Sequence, residues 1–209
     1  MIPKVHKGYE TFYAPDRGTW RRWLEANHAS SKGVWLVYYK KSSDKPRVSY
    51  DEAVEEALCF GWIDSRPNKI DDERYMQLFT PRKANSIWAK SNKERVEKLI
   101  RQGLMTPAGL EKIEMAKRNG KWDALDDAEN LVMPEDLKRS LMASKDAMKN
   151  FEAFRLSEKK RLLYWIGNVK KPEARAKRIE ETTLIAAKNM RLNDYLKEKM
   201  NAGRSTGGS

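Results

Sequence analysis

At 209 residues, 40% hydrophobic and 34% charged, with seven Trp and eight Tyr, the chain can bury a core and is not a disordered polymer. No apolar run reaches the roughly 18 residues that span a bilayer, and the opening MIPKVHKGYETFYAPDRG is too polar for a signal peptide, so no membrane insertion is expected. The single Cys59 excludes an intrachain disulfide and a cysteine metal cluster, and with only His6 and His28 beside it no metal or cofactor is implied; a cytoplasmic protein is expected.

The net charge of +12 is uneven. Residues 131–209 hold 18 Lys and Arg against 10 Asp and Glu, whereas residues 1–130 hold 24 against 20. Such a C-terminal excess suits an acidic partner (nucleic acid, an anionic membrane surface or an acidic protein), though a solvated Lys-rich face is the plainer reading of it.

Residues 1–15 read as an extended lead-in, and a helix follows Pro15 with Trp20, Trp23 and Leu24 on one face. GVWLVYYKK, residues 33–41, is rich in aromatic and β-branched residues and reads as a strand; SSDKPR is a turn. Ser49-Tyr-Asp-Glu52 is a capping box that opens a helix to about Phe60, with Ala53, Val54, Ala57 and Leu58 inward and Gly61 as its stop. Residues 62–64 are too short to assign alone but compatible with a strand, and residues 74–79 alternate as another, ended by Pro81. Ser91-Asn-Lys-Glu94 reads as another capping box, for a helix that buries Val96, Leu99 and Ile100 and stops at Gly103. Thr106-Pro107 opens the next, which runs to Gly120.

LDDAENLVMPED, residues 125–136, reads as a linker, and everything beyond it as helical. One helix covers about 143–155, with Ala147, Met148, Phe151 and Phe154 inward. Ser157 is expected to cap the next, which carries Leu162, Leu163, Trp165 and Ile166 to Gly167. The last runs from Pro172 to about Asn189, with Ile179, Thr183 and Ala186 or Ala187 on one stripe. The expected fold class is α+β: a small, mostly antiparallel sheet packed by helices over residues 1–130, a helical basic subdomain over 131–195, and a disordered tail over 196–209.

Special residues crowd between Ala57 and Asn92. On a strand Trp62 and Asp64 share a face, an indole beside a carboxylate, which suits a ligand as well as a core Trp beside a turn-capping Asp. In FTPRKANSIW, Pro81 delivers Arg82 and Lys83 at the end of a strand, and Ser86 adds a donor; such a group suits phosphate or carboxylate. The plainer reading pairs Arg82 with Asp64 or Asp71 and buries Trp88. The expected ligand site is therefore Trp62 and Trp88 as walls, Arg82, Lys83 and Arg66 as charge, and Asp64, Ser86 and Asn92 as orienting groups, for a small anionic ligand or acidic protein.

No GxSxG, HExxH, Walker A or GxGxxG is present, so the catalytic residues stay unknown; Asp64 as general acid or base is the enzyme alternative. A third alternative is nucleic-acid binding by Lys170, Lys171, Arg175, Lys177 and Arg178, whose cations stand in the first turns of a helix against the macrodipole.

The blocks YDEAVEEALCFGWIDS, FTPRKANSIWAKSN, VEKLIRQGLMTPAGLEKIEMAKRNGKW and AFRLSEKKRLLYWIGNVKKPEARAKRIEETTLIAAKN together resemble the YdeI/OmpD-associated, or bacteriocin-protection, OmdA-like family, over roughly residues 10–190. Ala174 departs from that family's pattern, in which Thr often precedes the Arg found here at Arg175; a hydroxyl is lost from that turn. The resemblance implies a part in tolerance to bacteriocins or antimicrobial peptides and an association with an outer-membrane porin. With no export signal in the sequence, an indirect, cytoplasmic role fits better than contact with the porin. The resemblance carries no catalytic residues to this chain.

Overall fold

The computed structural model describes residues 4–205, and the chain divides between Asp123 and Ala124 into two compact units. The first unit is built on one mixed sheet. Its strands are β1 (Val5–His6), β2 (Tyr9–Tyr13), β3 (Val34–Tyr39), β4 (Trp62–Asp64), β5 (Asn68–Lys69) and β6 (Arg74–Pro81). The order is β1-β2-β3-β6-β4, with β5 also paired to β6. All pairings are antiparallel except β2 with β3, which run parallel across the helix α1 (Arg17–Asn27). The expected α+β class therefore holds, but the lead-in over residues 1–15 is not merely extended: it supplies the two strands at one side of the sheet. Strands so short are fixed by their partners rather than by local pattern.

Alternation sorts the sheet's side chains into two faces. Val34, Leu36 and Tyr38 of β3, Phe79 of β6 and Trp62 of β4 enter the main core, while Trp35, Val37 and Met76 pack with Tyr9, Tyr13, Ile70 and Leu78 in a second cluster. The main core is closed by α1, α2 (Tyr50–Cys59), α3 (Lys90–Arg101) and α4 (Pro107–Arg118), which contribute Trp20 and Leu24, Val54 and Leu58, Val96 and Leu99, and Ile113 and Ala116.

The helix α2 is the centre of this packing, and residues 53–59 are all buried. Glu55 and Glu56 lie within that run, and a buried carboxylate needs partners. Arg17 bonds both, Arg21 bonds Glu56, and Lys98 bonds Glu55, at 2.5–3.0 Å, tying α1 and α3 to α2. Both halves of the Ser49/Glu52 capping box form. Gly61, at φ +73°, ends α2 in the left-handed region that glycine favours. At Thr106 the hydroxyl caps α4 and also donates to Cys59 O at 2.7 Å. This brings α4 so close that a Cβ on Gly109 would lie 2.3 Å from the same carbonyl oxygen.

The cap expected at Ser91 does not form. Trp88 is held in the core with its N–H donating to Lys121 O at 3.2 Å, so the chain leaves the core earlier and Ala89 is the N-cap of α3. Val96 and Leu99 go inward as expected, whereas Ile100 stays 47% exposed.

The second unit is helical: α5 (Asp126–Glu129), α6 (Glu135–Met142), α7 (Lys145–Ala153), α8 (Leu156–Gly167), α9 (Pro172–Ala187) and α10 (Leu192–Ser205). The expected linker, residues 125–136, belongs to it: α5 lies inside the stretch, and Ala128 is part of a core with Leu137, Leu141, Ala147, Phe151, Leu162, Ile166, Ile185 and Leu192. Arg155, in extended backbone, is the N-cap of α8 where Ser157 was expected. On α9 the buried stripe is Ile179, Thr182, Ile185 and Ala186, so Thr183 is displaced to its flank, where it bonds Ser140 at 2.8 Å. Of the expected disordered tail, residues 196–205 are the body of α10, anchored by Leu192 with Tyr195 and Leu196 at helical spacing against the core. Residues 206–209 lie outside the described residues.

Candidate functional site

The first unit carries a cleft of about 870 Å³ lined by Tyr50, Asp64, Ser65, Arg66, Pro67, Tyr75 and Gln77. That volume falls within the ~300–1,000 Å³ typical of small-molecule sites. Three elements make it. The capping box sets Tyr50 at the start of α2; β4 ends at Asp64 and turns through Ser65, Arg66 and Pro67; β6 supplies Tyr75 and Gln77 from its core-side face. Register decides the last point, since Asp64 pairs with Phe79 and Tyr75, Gln77 and Phe79 alternate along one face.

Asp64 is the meeting point of the site's polar groups. Its Oδ2 accepts from Tyr50 OH and from Gln77 Nε2, each at 3.2 Å. Gln77 Nε2 also donates to Ser65 O at 2.9 Å, which leaves Gln77 Oε1 buried and without a partner. Two more side chains nearby are left short. Tyr38 OH is buried and unpartnered, its ring stacked on Tyr75 with centroids 4.8 Å apart. Burial first, then Tyr75, Asp64 and Tyr50, push its pKa far up, so it remains a protonated phenol. Arg82 has Nε and Nη1 buried and unpartnered, and burial lowers its pKa to about 10, against the opposing pull of Asp64. Tyr50 and Tyr75 are also shifted upward, chiefly by burial.

The residues expected to form the site therefore separate. Asp64 and Arg66 line the cleft, and the Arg66 side chain has no protein partner among the described residues. Trp62 and Trp88 do not wall it. Each is 1% exposed: Trp62 Nε1 donates to His28 O at 3.2 Å, and Trp88 packs against Trp122 with centroids 5.1 Å apart. Arg82 lies in the core with them, 4% exposed, its guanidinium 3.8 Å from the Trp88 ring and Nη2 donating to Ile87 O at 3.0 Å. No ion pair joins it to Asp64 among the described residues, and Asp71 is taken by Arg74. Lys83 is exposed, Ser86 part-buried in the turn after it, and Asn92 in the first turn of α3; none lines the cleft.

The pattern misled because indoles are first of all core material. Tyr50, Tyr75, Gln77 and Tyr38 were missed. The legible signal was Gln77, an amide on the otherwise apolar face of β6.

In the second unit the five cations proposed for nucleic acid also separate. Arg175 makes two bonds of 3.0 Å to Asp136, and Arg178 donates to Trp165 O with its guanidinium 5.1 Å from that ring. Lys170, Lys171 and Lys177 remain exposed. No group of three or more His, Cys, Asp or Glu suited to a metal ion occurs among the described residues, and no helix among them is long and apolar enough to cross a membrane.

Residues 130–189 match the family model described as "Bacteriocin-protection, YdeI or OmpD-Associated". Residues 12–112 match a different model, described as a domain of unknown function. The likeness read from the sequence thus holds over the C-terminal helices, whereas the GWID and PRK blocks fall within the other model. No curated protein and no solved structure matches the chain.

Proposed function

We propose that a protein carrying a YdeI/OmpD-associated domain over residues 130–189 uses its other unit as a binding module for a small anionic ligand, held in the Tyr50–Gln77 cleft. The observation that carries this reading is Arg66, exposed on the lining of an open cleft with no side-chain partner among the described residues, in company with a buried Gln77 amide oxygen that likewise has none. Leaving such an atom unmatched costs ~1–3 kcal/mol, and a ligand that donates to it recovers that loss on binding. Arg66 supplies the preference for an anion, because it lines the same cleft and is exposed.

The test is a titration of the full chain with inorganic phosphate and small phosphorylated or carboxylated compounds, read as a rise in melting temperature. The Arg66→Ala variant should melt where the parent does and lose the ligand-induced rise. A parent whose melting temperature responds to none of these compounds ends the reading.

A contribution to bacteriocin or antimicrobial-peptide tolerance from the cytoplasm belongs to the same proposal, with the family's description as support for the tolerance. Cells lacking the protein should survive such peptides less well, and the Arg66→Ala form should fail to restore survival. Equal restoration by both forms separates the cleft from the phenotype.

A further inference from the structure

The cleft also specifies which end of its ligand goes in first. Gln77 cannot be turned over: its Nε2 already donates to Asp64 Oδ2 and Ser65 O, and a flipped amide would set oxygen against both acceptors. Its Oε1 is thus a fixed acceptor. Beside it stands Asp64, whose Oδ1 takes no bond from the protein among the described residues. Asp64 and Gln77, joined by a hydrogen bond and both lining the cleft, each keep an acceptor open, which disfavours a phosphate or carboxylate and calls for N–H groups. Arg82 lies near enough for Asp64 to act on its charge, and Arg66 lines the cleft, so a cation is disfavoured as well. What remains is a neutral head with more than one N–H. Tyr50, Tyr75 and Pro67 line the cleft with flat apolar surface, and Tyr38 stacks under Tyr75 to hold that wall in place.

Resting on the cleft reading above, we infer that the ligand is of the mononucleotide class, its base meeting Asp64 and Gln77 between the tyrosines and its phosphate reaching Arg66. Guanine, which alone of the four bases presents an amino group and a ring N–H on one edge, matches two acceptors best; adenine and cytosine offer the amino group and uracil the ring N–H. Base on aromatic ring is a contact every nucleobase makes, and it fits walls made of phenols.

The experiment is isothermal titration of the full chain with AMP, GMP, CMP and UMP, with ribose 5-phosphate and inorganic phosphate as comparators lacking the base. At least one nucleotide should bind about tenfold or more tightly than ribose 5-phosphate, because a site whose acceptors stay unmatched discriminates strongly. Asp64→Asn should remove that preference. Tyr50→Ala, at a helix position 43% exposed and so safe for folding, should lower nucleotide binding several-fold and leave ribose 5-phosphate unchanged. Arg66→Ala should weaken nucleotide and sugar phosphate alike. Nucleotides that bind no better than ribose 5-phosphate, both being lost in Arg66→Ala, would overturn the base while leaving the anion site standing. Failure of every compound to bind would remove both.

Discussion

The two units treat their buried polar groups differently. In the C-terminal unit they are matched: Glu158 accepts from Leu192 N–H at 2.8 Å and from Arg161 at 3.2 Å, and Thr182 donates to Arg178 O at 2.7 Å. In the N-terminal unit Glu55 and Glu56 are matched as fully, yet Tyr38, Gln77 and Arg82 hold four buried atoms with no partner. Asp64 acts on all three of those residues. Unmatched groups cost ~1–3 kcal/mol each unless water or a ligand meets them. Among the described residues they fall in the first unit alone, around one carboxylate.

The largest effect should come from the frame of the first unit. Gly109→Ala drives a methyl against Cys59 O, where α4 meets the end of α2, and neither backbone can yield cheaply. A loss of ~3 kcal/mol or more is expected, measured as a fall in the urea midpoint. If the midpoint is unchanged, α4 does not sit as close to α2 as described. In the second unit, Glu158→Ala strips the partner from the Leu192 N–H and frees Arg161, for a loss of ~2 kcal/mol. No such loss would mean that its network is no more closed than the one around Asp64.

A smaller effect separates the matched pair Asp136–Arg175 by pH. The hydrogen bonds from Arg175, and then the Leu137 N–H, hold the Asp136 carboxyl below its ordinary pKa. A folded pKa that is depressed gives stability present above the unfolded value of ~3.9 and lost as pH falls through the folded one. Asp136→Asn should therefore flatten the acid limb of the stability–pH curve and leave a constant deficit at neutral pH. Because Arg175 is spent on this pair, Arg175→Ala should lower stability slightly and hardly change the salt dependence of any binding to DNA or RNA. A clear drop in that dependence would return Arg175 to the solvent-facing set.

Local rules were legible in the sequence and distant ones were not. The Ser49 box and the Thr106-Pro107 start rest on neighbours three residues apart and form as read. Ser91 carries the same pattern and fails, because the anchoring of Trp88 on Lys121 overrides it. The strand at Tyr9–Tyr13 depends on pairing with Val34–Val37, far ahead in the chain, Val5–His6 in turn pairs with Tyr9–Glu10, and Arg175 meets an Asp 39 residues before it. Of the site, Asp64 and Arg66 could be read because a strand end and its turn present them together. Tyr50 lies inside the capping box, and Trp62, Trp88 and Arg82 are rare or charged residues that the packing nonetheless buries.

Arg82 gives the smallest stability effect and the sharpest comparison. Replacing Glu158 opens a closed network, whereas Arg82→Met removes two N–H groups that were never satisfied. Against this stand the loss of the bond to Ile87 O, the loss of a guanidinium 3.8 Å from Trp88, and the field of Asp64. A cation on an indole contributes ~0.5–2 kcal/mol, and the Met sulfur recovers part of it against the same ring. Ile87 is only part-buried, so water can reach its carbonyl. The terms nearly cancel, and the urea midpoint should stay level or rise by the equivalent of ~1 kcal/mol, since exchanging a buried charge for an apolar side chain is often neutral or stabilising. The same variant should lose ligand-induced stabilisation, because Asp64 then faces the cleft without its buried counter-charge. A marked fall in midpoint would show that Arg82 is frame, matched in solution by partners such as internal water, and would erase the contrast between the two units.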